Sequence, residues 1–237
     1  MHMPAETWWR WLARQRERSQ MVVLPNTRLD SLGGGWGFDG TTFARADGKF
    51  FGLEGVEVRT AGREVPGWGQ PLLKEYGVDG SEDGVVVVPV EVNSFGHVQR
   101  VLLAARIEPG NPATYNAPGV HAPDSKKHVL IGTPLQTSVA NLSQAHGGKL
   151  PPRAELVTMH ANKYSNNPLI RWVTQPQDGG RYFGKSVRLG RLIVKEGDLN
   201  PLLPQERWFY PSEINSAFAK GELSNYLVQS LLLFARF

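Results

Sequence analysis

Apolar residues recur every three to four positions near the N-terminus. Trp8, Trp11 and Leu12 share a face with Gln15, which predicts a helix from about Glu6 to Ser19. Arg10, Arg14 and Arg18 repeat every four residues on another face. That face is open to two readings: a basic docking surface for polyanions or anionic lipid, or the wet side of an amphipathic helix packed on the domain or across a dimer. Glu6 and Glu17 dilute the charge and favour the second. The spacing then changes to alternation over Lys49–Arg59, which predicts a strand. Strands are also predicted at Gly84–Val92 and His97–Ile107, joined as a hairpin by Asn93-Ser-Phe-Gly96. Ala154–His160, Leu169–Thr174 and Ser186–Val194 read as further strands.

Gln136 to Ala145 has no breaker and runs into His146-Gly-Gly148, which predicts a helix with a glycine stop. Ser212 is placed to cap a short helix ending before Gly221, and Leu223, Leu227, Leu231 and Phe234 form an apolar stripe on a last helix. Helices interspersed with hairpin-forming strands predict a mixed α/β or α+β domain. The glycine-rich stretch Gly33–Gly40 reads as a flexible turn region. It leads into a strand rather than into a helix N-terminus carrying lysine and Ser/Thr, so it does not read as a phosphate loop. Pro112 to Ile131, with its prolines, Gly119, two histidines and Asp124-Ser-Lys-Lys127, reads as a long surface loop.

Composition narrows the class. At 237 residues, 41% hydrophobic, the chain can bury a sizeable core. Cysteine is absent, which excludes disulfides, thiolate nucleophiles and Cys-based zinc sites and suits a cytoplasmic protein. No apolar run approaches a membrane span, and the Trp- and Arg-rich N-terminus lacks the apolar core of a signal peptide. The net charge of +4 suits a phosphate-bearing ligand and is too small to argue for nucleic acid.

The richest chemistry lies in Glu108-Pro-Gly-Asn111, where an apolar run ends in a forced turn. That turn leaves a carboxylate and an amide at the rim of a sheet. Gln136-Thr-Ser138, Asn141 and His146-Gly-Gly148 follow downstream. Other blocks accompany them: Trp36-Gly-Phe38, Gly48-Lys-Phe-Phe51, Gly55-Val-Glu-Val-Arg59, Glu64-Val-Pro-Gly-Trp68-Gly-Gln70-Pro71, Gln175-Pro-Gln177-Asp-Gly-Gly-Arg181-Tyr-Phe183, Trp208 and Asn225. In this order the blocks resemble the NDP-hexose 2,3-dehydratase family, enzymes that remove the C2 hydroxyl from a nucleotide-linked 4-keto-6-deoxy sugar.

The resemblance implies a Nudix-like fold, a mixed sheet between helices. A Nudix hydrolase needs a helix with Arg-Glu and a Glu-Glu pair to hold magnesium, and no such cluster is present in the sequence. The family usually carries two modules in tandem, and one is present here. This predicts an N-terminal helical arm over 1–25, one domain over 26–237, and a two-fold homodimer that restores the paired arrangement. Two departures bear on the substrate: the loop from Pro112 to Leu135 is longer than in the family, and Leu142 stands where an aromatic is usual.

The family reaction needs a base for the C3 proton, which the C4 ketone acidifies, donors for the developing enolate, and an acid for the departing C2 hydroxyl. The ketone is the electron sink, so no metal or redox cofactor is expected. Glu108 is the first candidate base, with a turn carboxylate capped by backbone N–H groups as the alternative. His146 is a candidate acid or base, or a histidine favoured by the end of a helix dipole. Asn111, Gln136, Ser138, Asn141, Gln175 and Gln177 suit sugar hydroxyls and a keto oxygen, though any one amide can equally be a turn or core residue. Arg181 and Lys185 suit a diphosphate or are exposed residues after a turn. Trp68, beside Gln70, suits a nucleobase or core packing. His97, His121 and His128 lack ligand spacing, so no zinc is expected.

The expected partner is therefore a nucleotide sugar, of the thymidine diphosphate type, with no nucleic acid or membrane. Three alternatives stay open: a dehydratase or isomerase of the same fold on another keto substrate, a catalytically silent module that binds a nucleotide sugar or another protein, and a nucleic-acid binder using the N-terminal helix.

Overall fold

A computed structural model describes residues 6–19, 28–61, 66–75, 82–107, 129–145, 147–158, 170–177 and 181–231. Two sheets and a set of mostly short helices make up an α+β architecture. The first sheet is an antiparallel meander of β1 (Trp36–Phe38), β2 (Thr42–Arg45), β3 (Phe51–Arg59) and β4 (Gly67–Glu75). The second is built on β5 (Glu82–Val92), with β6 (Val98–Ile107) on one edge and β10 (Ser186–Val194) on the other. Outside them lie β11 (Glu206–Phe209), next to β6, and β9 (Ile170–Pro176), next to β10. The β5–β10 pairing is parallel and the other pairings in this sheet are antiparallel.

The β5–β6 hairpin forms for the reason its sequence suggests. Asn93 Oδ1 accepts from the backbone N–H groups of Phe95 and His97, and Gly96 adopts a positive φ. Beyond Val90 and Val101 the two strands part. The gap is filled by β7 (Val129–Gly132), paired with β6, and β8 (Leu135–Ser138), paired with the first half of β5.

β5 feeds cores on both faces, as a doubly buried strand must. Val88 and Val90 pack with Val101, Leu103, Phe209 and α1 (Trp8–Arg18), whereas Val85 and Val87 pack with Leu102, Leu135 and Leu192 on the opposite side. In α1 the residues Trp8, Trp11, Leu12 and Gln15 form the buried face, and Trp11 meets the Phe209 ring edge-on at 5.4 Å. Gln15 donates to the Pro204 carbonyl at 3.0 Å, and Arg16 pairs with Glu222. The helix is thus packed on the second sheet, with Arg10, Arg14 and Arg18 outside its buried face.

Several local expectations change. The stretch Gln136–Ala145 begins as β8 rather than as a helix, because the open edge of β5 recruits its backbone groups. Only α2 (Val139–Leu142) is helical there, started by Ser138, whose hydroxyl accepts from the Asn141 N–H at 3.2 Å. Part of Ala154–His160 is a helical turn, α3 (Glu155–Thr158), not a strand; Ala154 and Val157 pack on the second core from one side, and a short apolar run alone does not distinguish the two periods. Residues 159 and 160 lie outside the described residues.

The C-terminal helix α4 (Pro211–Ala219) starts one residue before Ser212, with proline in its first turn and Glu213 accepting from the Tyr210 N–H at 3.0 Å. α5 (Asn225–Leu231) follows, burying Leu227. Within the glycine-rich stretch, Trp36–Phe38 forms β1, and the Asp39 carboxylate closes the turn to β2 by accepting from the N–H groups of Thr41 and Thr42.

Candidate active site

A pocket of about 280 Å³ opens where the two sheets meet. The first sheet brings Glu75, the last residue of β4, and its cross-strand neighbour Phe51, with Phe50 beside it at φ 66°. The second brings Gly84 and Val86 from β5, Gln136, Thr137 and Ser138 from β8, and Val187 from β10. Asn141 of α2, Gln177 just after β9, Tyr182 and Tyr226 of α5 complete the described wall. Two backbone bonds hold the sheets together here: Leu73 N–H donates to the Arg181 carbonyl at 2.8 Å, and Phe183 N–H donates to the Leu73 carbonyl at 2.7 Å. They set Tyr182 against β4.

The polar atoms of this pocket are notable for what they lack. Glu75 Oε2, Gln136 Oε1, Thr137 Oγ1 and Gln177 Oε1 are all buried without a hydrogen-bond partner. The two glutamine oxygens are acceptors only; the threonine hydroxyl, and the Glu75 carboxyl when protonated, can also donate. An unmet buried polar atom costs about 1–3 kcal/mol, so four around one cavity suit a polar ligand or water at this wall. Gln177 is oriented by donating its Nε2 to the Tyr226 hydroxyl. Gly84 keeps the floor open: a Cβ there would stand 3.1 Å from Val187 Cγ2 and 3.2 Å from Gln177 Oε1.

The family model described as NDP-hexose 2,3-dehydratase matches residues 5–234. The chain belongs to this family. Similar curated proteins are the dTDP-4-dehydro-6-deoxy-α-D-glucopyranose 2,3-dehydratases of Saccharopolyspora spinosa, Amycolatopsis orientalis and Streptomyces violaceoruber, at 25%, 26% and 26% identity. The matches cover 94% of this chain in each case, but only 40%, 42% and 44% of the respective relatives. The chain thus spans less than half the length of these family members.

Four of the residues singled out in the sequence, Gln136, Ser138, Asn141 and Gln177, meet in the pocket. Arg181 and Lys185 flank its Tyr182 wall; the Arg181 carbonyl accepts from Leu73 and the Lys185 carbonyl from the Gln177 N–H. Trp68 and Gln70 lie toward the other end of β4 and bond to each other, Nε1 to Oε1, at 3.0 Å. Seven residue steps along the strand separate Trp68 from Glu75, roughly 23 Å. Gln175 is exposed on β9, opposite Val187. Glu108, Asn111 and His146 lie outside the described residues. β6 ends at Ile107, paired with Val129 of β7, and Arg106 donates to the Gln136 carbonyl at 3.0 Å.

Sequence reasoning missed Glu75, Thr137, Tyr182 and Tyr226. For Glu75 a signal existed: Leu72-Leu-Lys-Glu-Tyr-Gly77 is an apolar run ending in a carboxylate before a glycine, the same feature that drew attention to Glu108. Among the described residues, no helix is long and apolar enough to cross a membrane.

Proposed function

We propose that this chain is a carbon–oxygen lyase that removes water across C2–C3 of a nucleotide-linked 4-keto-6-deoxyhexose, in deoxysugar biosynthesis in the cytoplasm. Beyond family membership, the observation that carries this reading is the polarity of the pocket. Its unpartnered polar atoms suit a ligand rich in hydroxyl groups, and its volume, at the small end of ligand pockets, suits one sugar ring. A diphosphate, which offers only acceptors, belongs outside it, and Arg181 and Lys185 beside Tyr182 are our candidates to hold it.

In this reading Glu108 takes the C3 proton, Asn111, Gln136, Asn141 and Gln177 hold the keto and hydroxyl oxygens, and His146 assists as acid or base. Loss of the C3 proton gives an enediolate, and expulsion of the C2 oxygen leaves a 2,3-ene whose C3 enol tautomerises to a 3,4-dione. We further propose that residues 26–237 act as one catalytic unit, carried in a homodimer.

The direct test incubates the protein with dTDP-4-keto-6-deoxyglucose and follows loss of the C2 oxygen by NMR. Binding of the nucleotide sugar without turnover would replace the lyase reading with a silent binding module. Glu108→Gln is expected to lower turnover by about 10²–10⁴-fold; unchanged turnover rejects it as the base. Light scattering should return twice the 26.3 kDa of one chain, and a monomer at micromolar concentration rejects the dimer.

A further inference from the structure

Three carboxylates are buried among the described residues: Glu75, Glu91 and Glu206. Two have an evident structural task. Glu206 takes two bonds from the Arg153 guanidinium, at 2.9 and 2.6 Å, and Glu91 is held by Arg100 at 2.7 Å. Burying a carboxylate is costly unless such a partner is present. Glu75 is as deeply buried, at 8% exposure; its Oε2, like Glu91 Oε1, has no hydrogen-bond partner, but among the described residues no cation pairs with Glu75, and it faces the pocket. It is also the one carboxyl group among the described lining residues, set beside the rings of Phe50 and Phe51.

Resting on the lyase reading above, we propose that Glu75 is a catalytic residue: the acid that protonates the C2 oxygen as it leaves. The elimination has two separable halves. The base removes the C3 proton, and the C3–H electron pair becomes the C3=C4 bond as the C4 carbonyl turns into an enolate oxygen. When the carbonyl re-forms, that pair moves to C2=C3 and the C2–O bond breaks with its electrons on oxygen. Hydroxide is a poor leaving group, so this second half needs a proton on the oxygen. Glu75, as the carboxylic acid, supplies it and water departs. Glu75 is left as carboxylate and is reprotonated at the expense of the proton taken from C3, directly or through solvent. No oxidant, reductant or co-reactant enters.

The two halves give different readouts. In D2O, wild-type protein with dTDP-4-keto-6-deoxyglucose should form product, with deuterium entering C3 of recovered substrate whenever the enediolate returns. If the wild type neither exchanges C3 nor eliminates, the lyase reading itself has failed. Glu75→Gln keeps size and polarity but has no proton to give. It is expected to slow elimination by about 10²–10⁴-fold while C3 exchange stays within about tenfold of wild type. Fluoride departs without prior protonation, so the 2-deoxy-2-fluoro analogue should be processed by Glu75→Gln at a rate within about tenfold of wild type.

Elimination that survives in Glu75→Gln overturns the proposal. So does loss of exchange and elimination together in a folded variant, which would make Glu75 the base. A rise in KM alone would make it only a hydrogen-bond acceptor for the sugar. If Glu75→Gln does not fold, Glu75→Asp is read by the same ratio: elimination depressed more than exchange supports the assignment, and equal depression removes it.

Discussion

The two sheets carry their stability in different ways. In the second sheet Val85, Val86, Val87 and Val88 of β5 are each 2% exposed or less, and the strand is packed on both faces. In the first sheet the large side chains stay half in water: Phe38 is 69% exposed, Phe50 50% and Phe51 44%. Its organisation comes from the backbone ladder, the stacking of Trp36 on Phe43 at 5.6 Å, and cross-strand ion pairs such as Lys74–Glu54 at 2.6 Å. The active-site wall is divided accordingly. The well-packed sheet supplies Gln136 and Thr137 to the pocket, and the thinly packed one supplies Glu75, the acid of our proposal. A site at such a seam can adjust one wall without disturbing the core of the other.

This contrast can be broken at its strong end first. Phe209 is fully buried against Trp11 between β11 and α1, so Phe209→Ala should cost about 3–5 kcal/mol in urea unfolding. A loss below 1 kcal/mol would mean that this core is not where stability resides. Next, Arg153→Ala leaves Glu206 buried without its cation and should cost ~3 kcal/mol by the same measurement.

At the seam, Gly84→Ala adds a methyl group against Val187 and Gln177. It should cost about 1 kcal/mol in stability and weaken sugar-nucleotide binding in calorimetry, because it tilts Gln177 Oε1. In the first sheet, Phe38→Ser should stay within about 0.5 kcal/mol of wild type, and a larger loss would reveal packing that the exposed ring does not suggest.

The smallest effect is a pH effect in the same sheet. Backbone N–H groups of Thr41 and Thr42 hold the Asp39 carboxyl below its ordinary value, and Arg45 does the same for Asp47. Groups lowered in the folded state stabilise it above the unfolded carboxylate range, near pH 4, and that contribution is lost as pH falls through their folded values. Amide exchange in the β1–β2 turn should therefore gain on that of β5 as the medium is made more acid, after correction for intrinsic rates.

Legibility followed the same division. α1 was readable because Trp8, Trp11, Leu12 and Gln15 repeat with the helical period and do face the core. The β5–β6 hairpin and Ser186–Val194 were readable because β-branched runs end at asparagine, glycine or charged residues. β4 and β11 were not. Gly67-Trp-Gly-Gln-Pro71 looks like a loop, and it is a strand because β3 offers it nine paired positions. β8 took a segment with helical character because an edge was vacant.

The pocket was partly legible, since amides and turn residues carry signals of their own. Glu75 was hidden because its proposed role rests on a partner that its Oε2 lacks, and a buried carboxyl without a cation is visible only when its surroundings are known.

The parallel pairing of β5 with β10 has a consequence in time. Val187 follows its partner Gly84 by about 100 residues, so the central strand has no neighbour on that edge until most of the chain exists. At ribosomal speeds of roughly 5–20 residues per second, this leaves the β10 edge of the valine run in β5 open for about 5–20 s. During synthesis a segment deeply buried in the finished protein is thus open to wrong partners. Chains that stop short of Ser186 should therefore be recovered as aggregates or bound to chaperones.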